Sequence, residues 1–448
     1  MSSKVAARSW IDQVGAIAER GREILGRVEG SRSLREIRWA CLRLIRQRGE
    51  ASSLALAADI AKYIQRAGEA ETLRFLEMLA SDLGPDAEVL SRAVLAWSED
   101  RSAEHLAVLF AAVEPPRQEL FRRVNMVPGG TRALVGLRET LLRLLPQNPD
   151  LVSVEADLKH LFTSWFNRGF LQLEQITWSS PADILESLIS HETVHIITGW
   201  DDLEQRLASD RRCFAFFHPA LPREPLIFVE VALTRGLVSV IEPLIDPARE
   251  TGLAETANTA IFYSINNCQP GLRGITFGSF LIKQVMGQLA VQLPRIRTFA
   301  TLSPMPQFAT ALSEPNGEFT NTRLERLLGR SMQDFKAFIA NTEGRLRPPA
   351  KALELVALAY LLRARSGRRA RDPVAHFHLS NGARIEHLAA GSNASSAGRQ
   401  SHGVMVNYKY DPAALELNHE RYIEQGIVST APALRGAVSR INDVWKKP

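Results

Sequence analysis

Across residues 14–161 the apolar positions recur at helical spacing in nearly every segment, whereas after Trp165 they contract into short aromatic and β-branched runs. Within 33–48, Leu34, Ile37, Cys41, Leu44 and Ile45 share one face while Arg35, Arg38, Arg43 and Arg46 point elsewhere. Ser33 and Glu36 have the spacing of a capping box, so this stretch predicts an amphipathic helix. Gly49, Gly68 and Gly84 follow successive helical patterns and are expected to take the left-handed conformation at helix ends. The segment reads as an antiparallel helical bundle with Arg and Glu on solvated faces. No cluster within it suits chemistry.

Beyond Trp165 the runs 214–217 and 226–233 predict two strands joined by the loop from His218 to Glu224. Residues 259–265 predict a third strand and 279–293 a helix, with Ile282, Val285, Met286, Leu289 and Leu293 on one face. A fourth strand follows over 298–302, past the stop at Pro294, and the succession is that of a βαβ unit with parallel strands. Another helix is expected over 350–365, and late strands over 376–379 and 404–410. The boundary falls near 162–172, which gives a helical domain over 1–165 and a sheet-containing domain over 166–448.

Composition adds limits to this outline. A chain of 448 residues, 45% hydrophobic and 23% charged, can bury two or three cores. The net charge of +5 and pI near 9.2 suit a polyanionic small molecule and fall short of a nucleic-acid-binding signature. Cys41, Cys213 and Cys268 are odd in number and far apart, which argues against disulfides and a CxxC metal site and for a reducing compartment. No stretch approaches the roughly 20 apolar residues of a spanning helix. Acidic Asp12, Glu19 and Glu23 interrupt the arginines at 8, 20 and 22, unlike a transit peptide, and Lys446-Lys447-Pro448 is no peroxisomal address. The expectation is a cytoplasmic protein with neither membrane nor nucleic acid as partner.

Candidate chemistry lies in the second half. The loop from Gln269 to Ser279 joins a strand to a helix start, where unpaired N–H groups and the helix dipole favour an anion. Arg273-x-x-Thr276-x-Gly278 is similar to the (Gln/Arg)-x-x-Gly-x-(Gly/Ala) pyrophosphate loop of GNAT-type acyltransferases, with Thr276 in place of the middle glycine. A plain strand-to-helix turn accounts for the same residues. Ser303 follows an apolar run and precedes Pro304, at the carboxyl end of a strand, where open α/β sheets bind ligands. By itself such a serine is a turn-former, and His378 by itself is a partly buried structural histidine.

A longer set of strings carries a specific resemblance. Arg211-Arg-Cys-Phe-Ala-Phe-Phe-His-Pro-Ala-Leu-Pro-Arg-Glu-Pro-Leu-Ile-Phe-Val-Glu-Val-Ala-Leu-Thr234, Ala260-Ile-Phe-Tyr-Ser-Ile-Asn266, Phe299-Ala-Thr-Leu-Ser-Pro-Met-Pro-Gln-Phe308, His376-Phe-His-Leu-Ser-Asn-Gly-Ala383 and Val406-Asn-Tyr-Lys-Tyr410 resemble the malonyl-CoA decarboxylases in order and spacing. The similarity reaches back to Pro115-Pro-Arg-Gln-Glu-Leu-Phe-Arg-Arg123 and Gly129-Gly-Thr131, so it covers most of the chain. It implies an α + α/β protein: an all-helical bundle used in oligomerisation, as dimer or tetramer, then a GNAT-like mixed-sheet catalytic domain without transferase activity. It also implies malonyl-CoA as substrate, acetyl-CoA and CO2 as products, and neither cofactor nor metal. The family's serine maps onto Ser303 and its histidine onto His378. Its coenzyme loop maps onto Arg273, Gly274, Ile275, Thr276, Phe277, Gly278 and Ser279. Some members carry a glutamate at the position of Thr276. On this resemblance His378 is expected to donate a proton to the nascent acetyl carbon, with Ser303 orienting the malonyl carboxylate or relaying the proton.

Other readings compete. His191-Glu192-Thr193-Val194-His195 matches H-E-x-x-H, in which two histidines one helical turn apart bind zinc. Its apolar flanks allow a helix, but no third ligand follows at compact spacing. An N-acyltransferase would share the coenzyme loop, yet nothing marks an acceptor groove or a base for its ammonium. A non-catalytic acyl-CoA sensor would need the loop without the serine and histidine. Arg368, Arg369 and Arg371 are candidates for phosphate contacts or a solvated basic loop. Residues 392–401 read as a lid or a connector, and Cys268 as structural.

Overall fold

The capping box at Ser33 forms: the Ser33 amide donates to Glu36 Oε2 at 2.7 Å, and the Glu36 amide donates to Ser33 Oγ at 3.4 Å. It starts α1 (Leu34–Arg46), which buries Ile37, Ala40, Cys41 and Leu44. Seven more helices follow among the described residues before the sheet begins: α2 (Glu50–Arg66), α3 (Glu69–Ser81), α4 (Ala87–Glu99), α5 (Ala103–Val113), α6 (Pro116–Asn125), α7 (Gly130–Leu144) and α8 (Val152–Trp165). In this computed structural model the described residues are 33–46, 49–275, 280–314, 317–340, 349–395 and 397–446.

The expected left-handed glycines at 49, 68 and 84 are a correction. Gly49 and Gly68 are the N-caps of α2 and α3, with φ of −78° and −69°, and Gly84 is not among the positive-φ glycines. The link before α3 is only Ala67 and Gly68, so Gly68 already caps the next helix, where an extended backbone serves. The left-handed position falls instead at Gly129, φ +75°, before α7. The helical core is built from residues such as Phe75, Leu79, Phe121, Leu134, Leu158 and Phe162. The α4–α5 hairpin stands apart from it, since α4 buries only Ala93 and α5 buries nothing.

The chain divides into two compact units. The first runs to Leu171 and also takes in His218–Pro222 and Gln269–Thr276; the second holds the remainder. The second is organised by a seven-stranded sheet of β1 (Gln172–Ile176), β2 (Arg211–Phe217), β3 (Ile227–Thr234), β4 (Thr259–Asn267), β5 (Thr298–Thr301), β8 (Arg384–Ala389) and β9 (Met405–Tyr410). A two-stranded ladder, β6 (Arg365–Ser366) with β7 (Arg369–Ala370), lies outside it. The sheet order is β1-β2-β3-β4-β5-β9-β8. Strands β1 to β4 are antiparallel neighbours, and β4 and β5 are parallel. The mixed sheet and the predicted βαβ unit are therefore present, the crossover being α11 (Phe280–Gln292), which α9 (Ala182–His191) and α10 (Trp200–Arg206) precede in the chain. Parallel pairing demands such a crossover, and the apolar run 279–293 supplied its pattern.

One expectation changes. Residues 376–379 are not a strand but lie in a helix, α13 (Pro373–Ser380), which follows α12 (Ala350–Arg363). Asp372 caps it, its Oδ1 accepting from the amides of Val374 and Ala375 at 3.0 and 3.1 Å, and Pro373 takes the first helical position, where a missing N–H costs nothing. Strand β9 pairs with β5 on one side and, on the other, with β8, which follows this helix in the chain.

Candidate active site

Strand β5 is extended past its last residue by one bridge: the Ser303 amide donates to the Val406 carbonyl at 2.9 Å, and the Val406 amide donates back at 2.8 Å. This fixes the Ser303 backbone at the strand's carboxyl end. Its Oγ shares a 3.0 Å hydrogen bond with Nε2 of His378, from the first residue of that pair 75 positions along the chain, and donates to Thr301 Oγ1 at 2.9 Å. Nδ1 of His378 meets the Tyr410 hydroxyl at 2.7 Å. With the Ser303 proton on Thr301, the consistent arrangement has Nε2–H donating to Ser303 and the Tyr410 hydroxyl donating to Nδ1.

Packing immobilises the imidazole. The Tyr408 ring stacks on it at 4.7 Å between centroids and 26° between planes. Ser303 and His378 are 6% and 3% exposed, so the pair lies in a low-dielectric setting where hydrogen bonds and charge effects are strong. Burial pushes the His378 pKa down to about 3, so the ring is neutral near pH 7, and it pushes the phenols of Tyr408 and Tyr410 well above the usual range. Thr301 Oγ1 also accepts from the Tyr408 amide at 3.2 Å, and its carbonyl accepts from Asn407 Nδ2 at 2.7 Å. The sequence reading missed Tyr408, Tyr410 and Thr301. Their signal was strand alternation, which puts residues 408 and 410 on one face.

Of the coenzyme-loop candidates, Arg273, Gly274 and Ile275 are described, while Thr276, Phe277, Gly278 and Ser279 lie outside the described residues. Arg273 is exposed, Ile275 is buried, and Gly274 has φ +78°, which favours glycine. The preceding turn is anchored to α7: Arg138 Nη1 donates to the Gly271 carbonyl at 2.6 Å, with Nη2 on Glu155 at 2.7 Å. A Cβ at Gly271 would sit 2.0 Å from the Val135 carbonyl oxygen, so only glycine fits.

The H-E-x-x-H segment does not form the helix that its spacing suggests. Helix α9 ends at His191, and Glu192 leaves it in an extended conformation, so the two histidines are not a helical turn apart. Glu192 Oε1 accepts from the Val194 and His195 amides, both at 2.7 Å. Its Oε2 accepts from Ser264 Oγ at 2.6 Å and Asn266 Nδ2 at 2.7 Å. His191 Nδ1 donates to the Ser187 carbonyl, and burial lowers the His195 pKa to about 4. Among the described residues no three His, Cys, Asp or Glu groups could hold a metal ion.

The blander candidates also find places. Arg371 forms a bidentate pair with Glu314, and Arg368 Nη1 donates to the Glu424 carbonyl at 2.8 Å. The 392–401 segment, of which Ser396 lies outside the described residues, is hydrogen-bonded at both ends. The Ser392 amide donates to the Gly403 carbonyl at 2.8 Å, and Ser401 Oγ accepts from the Met305 amide at 3.2 Å. Cys268 is buried and its thiol pKa is raised by desolvation, as fits a structural residue. No helix among the described residues is long and apolar enough to cross a membrane.

Known proteins resemble this chain over most of its length. Residues 169–447 match the malonyl-CoA decarboxylase C-terminal domain and residues 83–166 the N-terminal domain. The mitochondrial malonyl-CoA decarboxylase of Anser anser anser is 35% identical over 371 residues, 75% of this chain and 73% of that protein. The crystal structure of malonyl-CoA decarboxylase from Rhodopseudomonas palustris has a TM-score of 0.81 and 47% identity, covering 90% of this chain and 100% of the other. That from Agrobacterium vitis gives 0.79 and 44%, covering 90% and 99%.

Proposed function

The chain belongs to the malonyl-CoA decarboxylase family, and from that membership we propose that it is a carboxy-lyase converting malonyl-CoA to acetyl-CoA and CO2, with His378 as proton source and Ser303 as its partner. The observation that carries the residue assignment is the 3.0 Å contact between Ser303 Oγ and His378 Nε2. Breaking the bond to the carboxylate leaves its electron pair on the α-carbon, delocalised onto the thioester oxygen as an enolate. The substrate is its own electron sink, so the proposed reaction needs no organic cofactor and no metal. CO2 leaves and the α-carbon takes one proton.

Both ring nitrogens of His378 are already engaged, Nε2 by Ser303 and Nδ1 by Tyr410. In the proposed sequence the Ser303 hydroxyl therefore delivers the proton to carbon and is recharged from Nε2–H. The Tyr410 hydroxyl returns a proton to Nδ1, and over the whole cycle one solvent proton is consumed. Burial keeps the imidazole neutral near pH 7 and the Tyr410 phenol protonated, so the resting site holds its protons where this relay starts.

The reading of Arg273–Ser279 as the coenzyme diphosphate loop draws support from its place between β4 and α11 and from the left-handed Gly274. Self-association through the helical unit, as dimer or tetramer, draws support from the α4–α5 hairpin. Its Leu95, Val108, Phe110 and Val113 are exposed, which water disfavours and a second copy of the hairpin would cover. Leu95→Lys with Phe110→Glu should lower the mass measured by light scattering; an unchanged mass removes the hairpin from the interface. A reducing compartment, the cytoplasm, fits the free buried thiols of Cys41, Cys213 and Cys268.

The test of function is incubation of purified protein with malonyl-CoA alone. Equimolar CO2 and acetyl-CoA, formed with no acyl acceptor present, are the expected result. Acyl transfer to an added amine with no CO2 release would overturn the proposal.

A further inference from the structure

Two separate segments must meet for Ser303 to touch His378, and one carboxylate holds both. Asp372 Oδ1 caps α13, which carries His378 six positions further on. Its Oδ2 accepts from the Gln307 amide at 3.3 Å and from the Tyr360 hydroxyl of α12 at 3.2 Å. Gln307 is four residues past Ser303, and the span Ser303-Pro304-Met305-Pro306-Gln307 is stiffened by two prolines whose φ is fixed. An anchor at Gln307 therefore constrains Ser303, and an anchor at the N-terminus of a short helix constrains His378.

An ordinary cap makes the contrast. Asp86 caps α4 with Oδ1 alone, accepting from the Glu88 and Val89 amides at 3.0 Å each, and the residue is exposed. Asp372 makes the same two bonds but is only 2% exposed, and its second oxygen is turned inward onto two further donors. Capping explains one oxygen. It does not explain burying the other, which is costly unless that oxygen is hydrogen-bonded.

We infer that Asp372 is the positioning residue that holds the Ser303 segment and the His378 helix in register, an inference that rests on the proposed role of that pair. Its test is Asp372→Asn. Asparagine is a good cap and keeps the Oδ1 acceptor, while its NH2 group faces two donors and cannot accept from them. The expected result is folded protein whose kcat falls roughly 10- to 100-fold with KM changed by less than about threefold, as for a small misalignment of reacting groups. Tyr360→Phe, which removes one of the two inward bonds, should give a smaller loss of kcat of the same kind. Wild-type kcat per folded molecule in Asp372→Asn overturns the inference, whatever happens to its melting temperature. Should that variant not fold, Asp372→Ser, which can cap the helix but cannot reach Gln307, is read by the same criterion. Ser303→Ala and His378→Ala are assayed beside it. If they lose turnover and Asp372→Asn does not, positioning alone fails; if they keep turnover, the proposed role of the pair fails and the inference falls with it.

Discussion

Two histidine-bearing segments of the sheet-containing unit reverse the rank that sequence spacing gives them. His191 to His195 has the spacing of a zinc-binding helix, yet α9 stops at its first residue and Glu192 becomes the centre of a turn, holding two amides, a serine and an asparagine. Ser303 and His378 have no mutual spacing to notice and still share a 3.0 Å hydrogen bond. A motif carries chemistry only if its local conformation persists. Ser264 and Asn266 of β4 both donate to Glu192 Oε2 and hold it in that turn.

The sharpest way to break this contrast is to swap the expected consequences. His378→Ala should lower kcat by about 10²- to 10⁴-fold, the range for a lost acid–base group, with little change in KM. Glu192→Ala should cost about 3 kcal/mol of stability, measured by urea unfolding, because it leaves buried donors unpaired, while kcat per folded molecule stays at the wild-type level. Loss of catalysis without loss of stability in the Glu192 variant would erase the distinction.

Acid should act on both segments with the same sign. Burial lowers His378 to about 3 and His195 to about 4, whereas histidines of the unfolded chain titrate near pH 6.5. As pH falls below 6.5 the unfolded chain takes up protons that the folded one refuses. The stabilisation is therefore full above about pH 6.5 and is lost progressively as pH drops through 4 towards 3. Thermal melts across this window should show it, and His195→Phe should flatten the acid limb without altering turnover. The pH profile of kcat/KM should show no inflection from His378 near 6.5. The smallest effect expected is that of EDTA, which should change neither turnover nor melting temperature; a loss of either would return the H-E-x-x-H segment to consideration.

Much of the architecture was legible because it depends on local periodicity. The helical spacing from residue 34 to 161, the β4-α11-β5 crossover and the strands β2, β3 and β9 all appear as apolar patterns, while the part of the helical reading over 14–32 lies outside the described residues. The miss at 376–379 has a definite cause. The short apolar run around Phe377 fits strand or helix, and the deciding signal, Asp372-Pro373 as cap and first helical residue, lies upstream of it. The glycines at 49 and 68 were placed at the wrong ends of their links for a similar reason, since a short link serves two helices at once. Within the site, Ser303 and His378 came from family resemblance, whereas Tyr408 and Tyr410 were visible only as alternating strand residues without a destination.

The sequence by itself determined the two-part organisation and the order of most elements, because propensity, capping and periodicity act within a few residues of chain, and its family resemblance singled out the residues for the proposed chemistry. Tertiary structure alone decided that Glu192 is a structural carboxylate, that His378 is neutral and packed against two tyrosines, and that Asp372 touches the segments of both Ser303 and His378. Those outcomes depend on burial and on contacts between residues far apart along the chain, and no local pattern encodes either.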